Sequence, residues 1–101
     1  MKVTRKNNKS GTVLSVDGDL TIYTVAQAKQ VLLEDYENFS SPVALDLQSV
    51  TEIDTAGLQL LLFMHKLLGG INKNVHVTKS NEQVDSILKN MDVATYFTLE
   101  N

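Results

Sequence analysis

The sequence contains no cysteine and no excess of positive charge. Without cysteine, the chain cannot form disulfides, use a thiol nucleophile or bind a metal through thiolates. A formal net charge of -3 at pH 7 provides no strong positive field to attract nucleic-acid phosphates or anionic lipids. We therefore expect no nucleic-acid partner and no thiol-based site.

Long hydrophobic runs are also absent. The longest, at residues 58–64, includes Gln59 and is far shorter than the ~20 residues that a membrane-spanning helix needs. Residues 1–10 are polar and no apolar block follows them, so they do not form a secretory signal. We expect a cytoplasmic protein without direct membrane insertion.

Length and composition are those of a small globular protein. With 101 residues, 43% of them hydrophobic, the chain can build one hydrophobic core but not two. No internal repeat, low-complexity tract or linker divides it. These features predict a single domain over residues 1–101.

The first part of the chain predicts a β-hairpin followed by a helix. Residues 2–5 and 12–16 favour extended structure, and Gly18 and Asp19 close the second strand. Thr24 and Gln27 then have the spacing of a capping box, and the apolar periodicity after them predicts a helix that ends near Asn38.

The rest of the chain alternates strand and helix patterns. A strand is predicted at 43–47, followed by a helix at 54–68 that is capped by Asp54 or Thr55. A second strand is predicted at 74–78, and Ser80 or Asn81 caps the helix after it. The inward side chains of that helix are Val84, Ile87, Leu88 and Met91, and a short strand or helical turn is predicted at 96–99. This order predicts an α/β fold in which helices pack on a mixed sheet.

The helix predicted at residues 54–68 has two apolar faces when its residues are placed at about 100° intervals. Its core face is formed by Leu60, Leu61, Met64, Leu67 and Leu68. The opposite side is more apolar than a solvent-exposed helix needs. We define the docking face as Leu58, Gln59, Leu62, Phe63 and Lys66, and we expect it to bind a partner. Alternatively, Leu58 and Phe63 lie under a neighbouring loop or strand.

Thr55 has two compatible roles at the start of this helix. As a structural residue it caps the helix, a contribution of about 1 kcal/mol. As a functional residue it presents a hydroxyl at the positive end of the helix dipole, where a phosphate is attracted. A phosphate there would add charge beside Asp54 and repel or exclude a partner without unfolding the domain.

Two segments resemble the STAS domain family of anti-sigma-factor antagonists and sulphate-transporter tails. Residues 45–62, LDLQSVTEIDTAGLQLLL, are similar to the family pattern of apolar strand, polar loop, Asp-(Ser/Thr)-x-Gly-Leu and apolar helix. Residues 16–24, VDGDLTIYT, are similar to the segment that joins the second strand to the first helix. The resemblance implies a mixed sheet of four or five strands with three or four helices mostly on one face.

In the antagonists of this family, the hydroxyl residue after the aspartate is phosphorylated by a partner kinase and dephosphorylated by a phosphatase. The resemblance makes Thr55 the phosphoacceptor, with Asp54, Ala56 and Gly57 as its surroundings. It implies a serine/threonine kinase-type anti-sigma factor, or another regulatory protein, as the partner. Threonine replaces the usual serine, and Ala56 stands where a second serine is common.

Two other functions remain open. The Thr55-Ala56-Gly57 order is also similar to STAS subunits of bacterial phospholipid-transport ABC complexes, which dock on an ATPase subunit. The other possibility is an enzyme or ligand-binding protein, in which residues 18–23 form part of a pocket for a nucleotide or a lipid. Thr21, which stands where the family often has aspartate, disfavours nucleotide binding.

Catalysis and metal binding have little support in the sequence. His65 and His76 are far apart and have no third ligand at useful spacing. No nucleophile lies in a Gly-x-Ser-x-Gly elbow. We therefore expect a protein without catalytic residues, metal or cofactor.

Overall fold

The computed structural model describes residues 1–90 of the chain. Its elements are β1 (Lys2–Asn8), β2 (Gly11–Leu20), α1 (Val25–Leu32), a short 3-10 helix (Tyr36–Asn38), β3 (Val43–Asp46), β4 (Val50–Ile53), α2 (Thr55–Gly69), β5 (Val75–Lys79) and α3 (Glu82–Asn90). Met91 and the element predicted at 96–99 lie outside the described residues.

The strands form a five-stranded mixed sheet centred on β2. The hairpin partner β1 is antiparallel to β2, whereas β3 is parallel to β2 and β5 is parallel to β3. The last part of β2 leaves β3 and pairs with β4 in parallel, after a register shift between Gly18 and Asp19. Within residues 1–90 the fold is α/β with three α-helices, in agreement with the α/β class implied by the resemblance.

One hydrophobic core lies between the sheet and the helices. Alternate residues of β2 (Leu14, Val16) point into it, as the two-residue period of a strand requires. The helices add their apolar faces, through Ala28, Leu32, Leu61, Met64, Leu68, Val84 and Leu88. This packing fixes the start of α2 against the last residues of β2. Within residues 1–90, no helix has the length and apolar character to span a bilayer.

Three details of the first half differ from the predictions. The second strand runs through Gly18 and Asp19 to Leu20, because β4, which was not predicted, pairs with this extension. The predicted helix ends at Leu32 and is followed by a separate 3-10 turn. The predicted capping box is wrong, because the Thr24 hydroxyl bonds to the backbone of the preceding loop instead.

Candidate functional site

The side chain of Asp54 caps α2 and also holds the loop that precedes α1. Its Oδ1 accepts a hydrogen bond from the Gly57 N–H at 3.0 Å, which satisfies a free amide in the first turn. Its Oδ2 accepts a hydrogen bond from the Ile22 N–H, also at 3.0 Å. One carboxylate therefore joins two segments of the chain that are 32 residues apart.

These bonds favour the charged form of the Asp54 carboxyl. The N–H of Ile22, followed by that of Gly57, lowers the pKa of Asp54 below its ordinary value, although partial burial opposes the shift. The site consequently keeps its negative charge at neutral pH.

Gly57 allows the start of α2 to lie directly against β2. A Cβ atom at this position would be 2.1 Å from the backbone oxygen of Leu20, a distance that no side chain can adopt. The obstacle is backbone and cannot rotate away. Glycine is therefore required here by the close approach of two backbones.

Thr55 is the first residue of α2, and its side chain is exposed. Of the two capping residues predicted, Asp54 is confirmed and Thr55 is wrong, because Asp54 occupies the N-cap position. Ala56, the next residue, is half-buried. The Thr55 hydroxyl is thus left at the surface, at the positive end of the helix dipole.

The loop Thr21–Thr24 lies beside Thr55 and carries two exposed apolar side chains. Ile22 is 62% exposed and Tyr23 is 94% exposed. Neither was predicted to bind a partner, although both lie in the segment 18–23 that was considered for a nucleotide or lipid pocket. The available signal was an Ile-Tyr pair placed between a strand and a helix, where turn residues are mostly small or polar.

The surroundings of this loop are acidic. Asp19 of β2 and Glu52 of β4 are neighbours in the parallel pairing, and the Thr51 hydroxyl donates to Asp19 at 2.6 Å. Lys2 is the cross-strand partner of Asp17, and the Lys29 ammonium contacts the Phe63 ring. Asp19, Glu52 and Asp54 make the surface at the ends of β2 and β4 acidic.

A protein-family model described as "Mlab, STAS domain" matches residues 3–100. The chain belongs to the STAS domain family. Among curated proteins, this STAS chain is similar to an anti-sigma-B factor antagonist of Staphylococcus epidermidis, with 28% identity over 71 residues. The alignment covers 70% of this chain and 66% of that protein, just under two thirds of its length.

Solved structures of other proteins share the STAS fold. An anti-sigma factor antagonist from Mycobacterium paratuberculosis has a TM-score of 0.87 at 17% identity, with 98% of this chain and 84% of that chain covered. The Bacillus cell fate determinant SpoIIAA in its phosphorylated form has a TM-score of 0.71 at 10% identity, with 99% of this chain and 92% of that chain covered. At these identities the similarity establishes the fold alone.

The predicted docking face of this STAS chain is only partly at the surface. Gln59, Phe63 and Lys66 are exposed, and Leu62 is half-buried. Phe63 is 41% exposed, and the Lys29 ammonium lies 4.5 Å from the centre of its ring.

The inclusion of Leu58 in the docking face is wrong. Its side chain is 1% exposed and belongs to the core. The reason is that α2 contacts α1 and α3 as well as the sheet, so it buries a wider arc than a helix that faces a sheet alone. The alternative, in which an exposed-looking leucine is covered by its neighbours, is the correct one for Leu58.

The structure also bears on the other predicted types of site. Within residues 1–90, no three His, Asp or Glu side chains are grouped so that they could hold a metal ion. Thr21 is 6% exposed, and its hydroxyl accepts from the Tyr23 N–H at 3.3 Å. Its side chain is therefore buried within the loop, and its hydroxyl is bonded to the loop backbone.

Proposed function

We propose that this chain is a non-enzymatic partner-switching domain, which binds a kinase-type anti-sigma factor or another regulatory protein and is switched by phosphorylation of Thr55. The observation that carries the proposal is the division of roles at the start of α2. Asp54 caps the helix, while the Thr55 hydroxyl is exposed. Because Thr55 is not needed for capping, it can be modified without loss of the helix end.

The switch is a reversible phosphoryl transfer. A kinase transfers the γ-phosphoryl group of ATP to Thr55 Oγ1, which loses its proton, and ADP leaves. A phosphatase then hydrolyses the ester and restores the hydroxyl. The phosphate adds about -1.5 to -2 charges beside the Asp54 carboxylate. It would therefore occupy space and change the charge on a surface that the partner must cover.

The relatives support this class of function. The curated relative and the mycobacterial structure are both named as anti-sigma factor antagonists. SpoIIAA, which has the same fold, is known in a phosphorylated form. Binding to a regulator, with control by phosphate, is consistent with both descriptions.

The test compares tagged wild-type, Thr55→Ala and Thr55→Glu chains expressed in the native host. We expect mass spectrometry to find phosphothreonine at position 55 of the wild type. The kinase-type regulator should co-purify with Thr55→Ala, and its recovery should fall at least about tenfold with Thr55→Glu, since 1.4 kcal/mol of binding energy corresponds to that factor.

Thr4 provides the matched control, because it is an exposed threonine on β1. Thr4→Ala and Thr4→Glu should recover the regulator equally. Equal recovery by the two Thr55 variants, with no phosphate at position 55, would rule out the switch.

A second candidate is a constitutive subunit of a phospholipid-transport ABC complex. One observation favours it: the Thr55-Ala56-Gly57 order, which is similar to that of such subunits. In that case the same host purification would recover an ABC ATPase with all variants, and no phosphothreonine.

A further inference from the structure

We infer that the main binding determinant is the loop Thr21–Thr24, whose Ile22 and Tyr23 side chains insert into an apolar pocket with a basic rim on a partner protein. We refer to this loop as the anchor loop. The inference deepens the proposed function, on which the identity of the partner as a regulator rests. The binding surface itself is argued from the exposure, order and charge of the described residues.

Exposure singles out the anchor loop. The large hydrophobic side chains that are exposed within residues 1–90 are Ile22 (62%), Tyr23 (94%), Phe63 (41%) and Ile71 (41%). Ile22 and Tyr23 are adjacent and the most exposed, whereas Phe63 is already in contact with the Lys29 ammonium. Tyrosine is enriched among the residues that contribute most to protein interfaces.

The anchor loop is ordered by its own hydrogen bonds. The N–H groups of Thr24 and Val25 donate to the backbone carbonyl oxygen of Thr21 at 3.0 and 2.8 Å. The Thr24 hydroxyl accepts from the Thr21 N–H at 3.0 Å and donates to the backbone carbonyl oxygen of Asp19 at 2.8 Å. Because the backbone is already fixed, binding would cost less conformational entropy than ordering a flexible loop.

Asp54 fixes the position of the anchor loop relative to Thr55. The bond from the Ile22 N–H to Asp54 Oδ2 attaches the loop to the residue next to the phosphoacceptor. Asp54 is thus a positioning residue. A partner that covers Tyr23 would also reach the start of α2, so a single surface includes both the apolar anchor and the switch.

Charge decides which partner fits. Three acidic residues are bonded to the loop or adjacent to it. Asp54 accepts from the Ile22 N–H, the Asp19 backbone oxygen accepts from the Thr24 hydroxyl, and Glu52 pairs with Asp19. Lys29, the basic residue that follows the loop in the sequence, is in contact with the Phe63 ring. An arginine or lysine rim on the partner would complement the three carboxylates. A second copy in a symmetric contact would place these carboxylates against their duplicates, and an anionic lipid surface would be repelled.

The test places the photoreactive amino acid p-benzoylphenylalanine at position 23 and, in a second chain, at position 71. Ile71 is the control, because it is an exposed hydrophobic residue near the other end of α2. Both chains are irradiated in the native host, and the cross-linked peptides are sequenced. We expect position 23 to capture one protein, through a peptide from an apolar surface with adjacent arginine or lysine, and position 71 to capture none of it.

The captured protein is then purified for affinity measurements. Tyr23→Ser and Ile22→Ser should each raise its Kd at least about tenfold, and Ile71→Ser should change it less than about twofold. Added salt should weaken binding to the wild type more than binding to an Asp19→Asn, Glu52→Gln double variant.

Four results would overturn the inference: no adduct at position 23, equal adducts at 23 and 71, capture of a second copy of this chain, or capture through an acidic surface. Failure of the proposed function gives a different pattern. If position 23 captures a transport ATPase, and Thr55→Glu does not change its affinity, the anchor loop is supported and the phosphorylation switch is not.

Discussion

The two ends of β2 use polar residues in opposite ways. At its start, Thr12 is fully buried, and its hydroxyl donates to Asn7 Oδ1 at 2.5 Å and accepts from the Ser40 N–H at 2.8 Å. At its far end, the Asp54 carboxylate accepts hydrogen bonds from two backbone N–H groups, while the Thr55 and Tyr23 side chains are exposed to solvent. The first end completes the fold, whereas the second holds groups at the surface.

The largest expected effect concerns the close backbone contact at the far end. Gly57→Ala would bring a Cβ within 2.1 Å of the Leu20 oxygen, so we expect the free energy of unfolding in urea to fall by about 3 kcal/mol. Gly69→Ala is the control, since nothing lies within 4 Å of a Cβ there. Similar small effects for both variants would show that α2 can move away from β2.

The next effect separates the two threonines. Thr12→Val removes a buried hydroxyl and leaves the half-buried Ser40 N–H without its partner, which costs about 1–3 kcal/mol of unfolding free energy. Thr55→Val has the same shape change at an exposed position, so we expect a change within about 0.5 kcal/mol. Equal losses in urea unfolding would contradict the distinction between the two ends.

The smallest effect depends on pH. Asp54→Ala removes the cap and should cost about 1 kcal/mol at neutral pH. Since the pKa of Asp54 is lowered in the folded state, its stabilisation is complete above the ordinary value of about 4 and is lost as the pH falls through the folded-state value. The difference between wild type and Asp54→Ala should therefore shrink in acid.

Asp54→Asn is the control for this measurement, because asparagine is a good N-cap that does not titrate in this range. The unfolding free energy of wild type relative to Asp54→Asn should fall in acid, while the difference between Asp54→Asn and Asp54→Ala should stay constant. A wild-type advantage over Asp54→Asn that did not change with pH would contradict the role of the charge.

Much of the fold could be predicted from local patterns. The hairpin, α2 and its end near Gly69, β5 and the Asn81 cap of α3 follow from periodicity and turn residues. The strand β4 could not be predicted, because Val50–Ile53 is short and half polar. Its strand structure comes from pairing with the end of β2, which is a tertiary interaction.

The candidate site was predictable to a lesser degree. The sequence placed Asp54, Thr55 and Gly57 together, because they are consecutive or nearly so. It could not assign Leu58 to the core, since the packing of α1 and α3 around α2 is not encoded in the periodicity of one helix. Nor could it bring Ile22 to Asp54, because that contact joins segments 32 residues apart.

That separation between Ile22 and Asp54 makes the surface a conformational epitope. Closing a chain segment of 32 residues has an entropic cost that only the finished sheet and its helices can offset. A short synthetic peptide spanning residues 50–60 would contain Thr55 but not Tyr23. A partly folded chain would contain both residues but would not hold them next to each other. A protein that requires both groups would therefore distinguish the native domain from its unfolded forms.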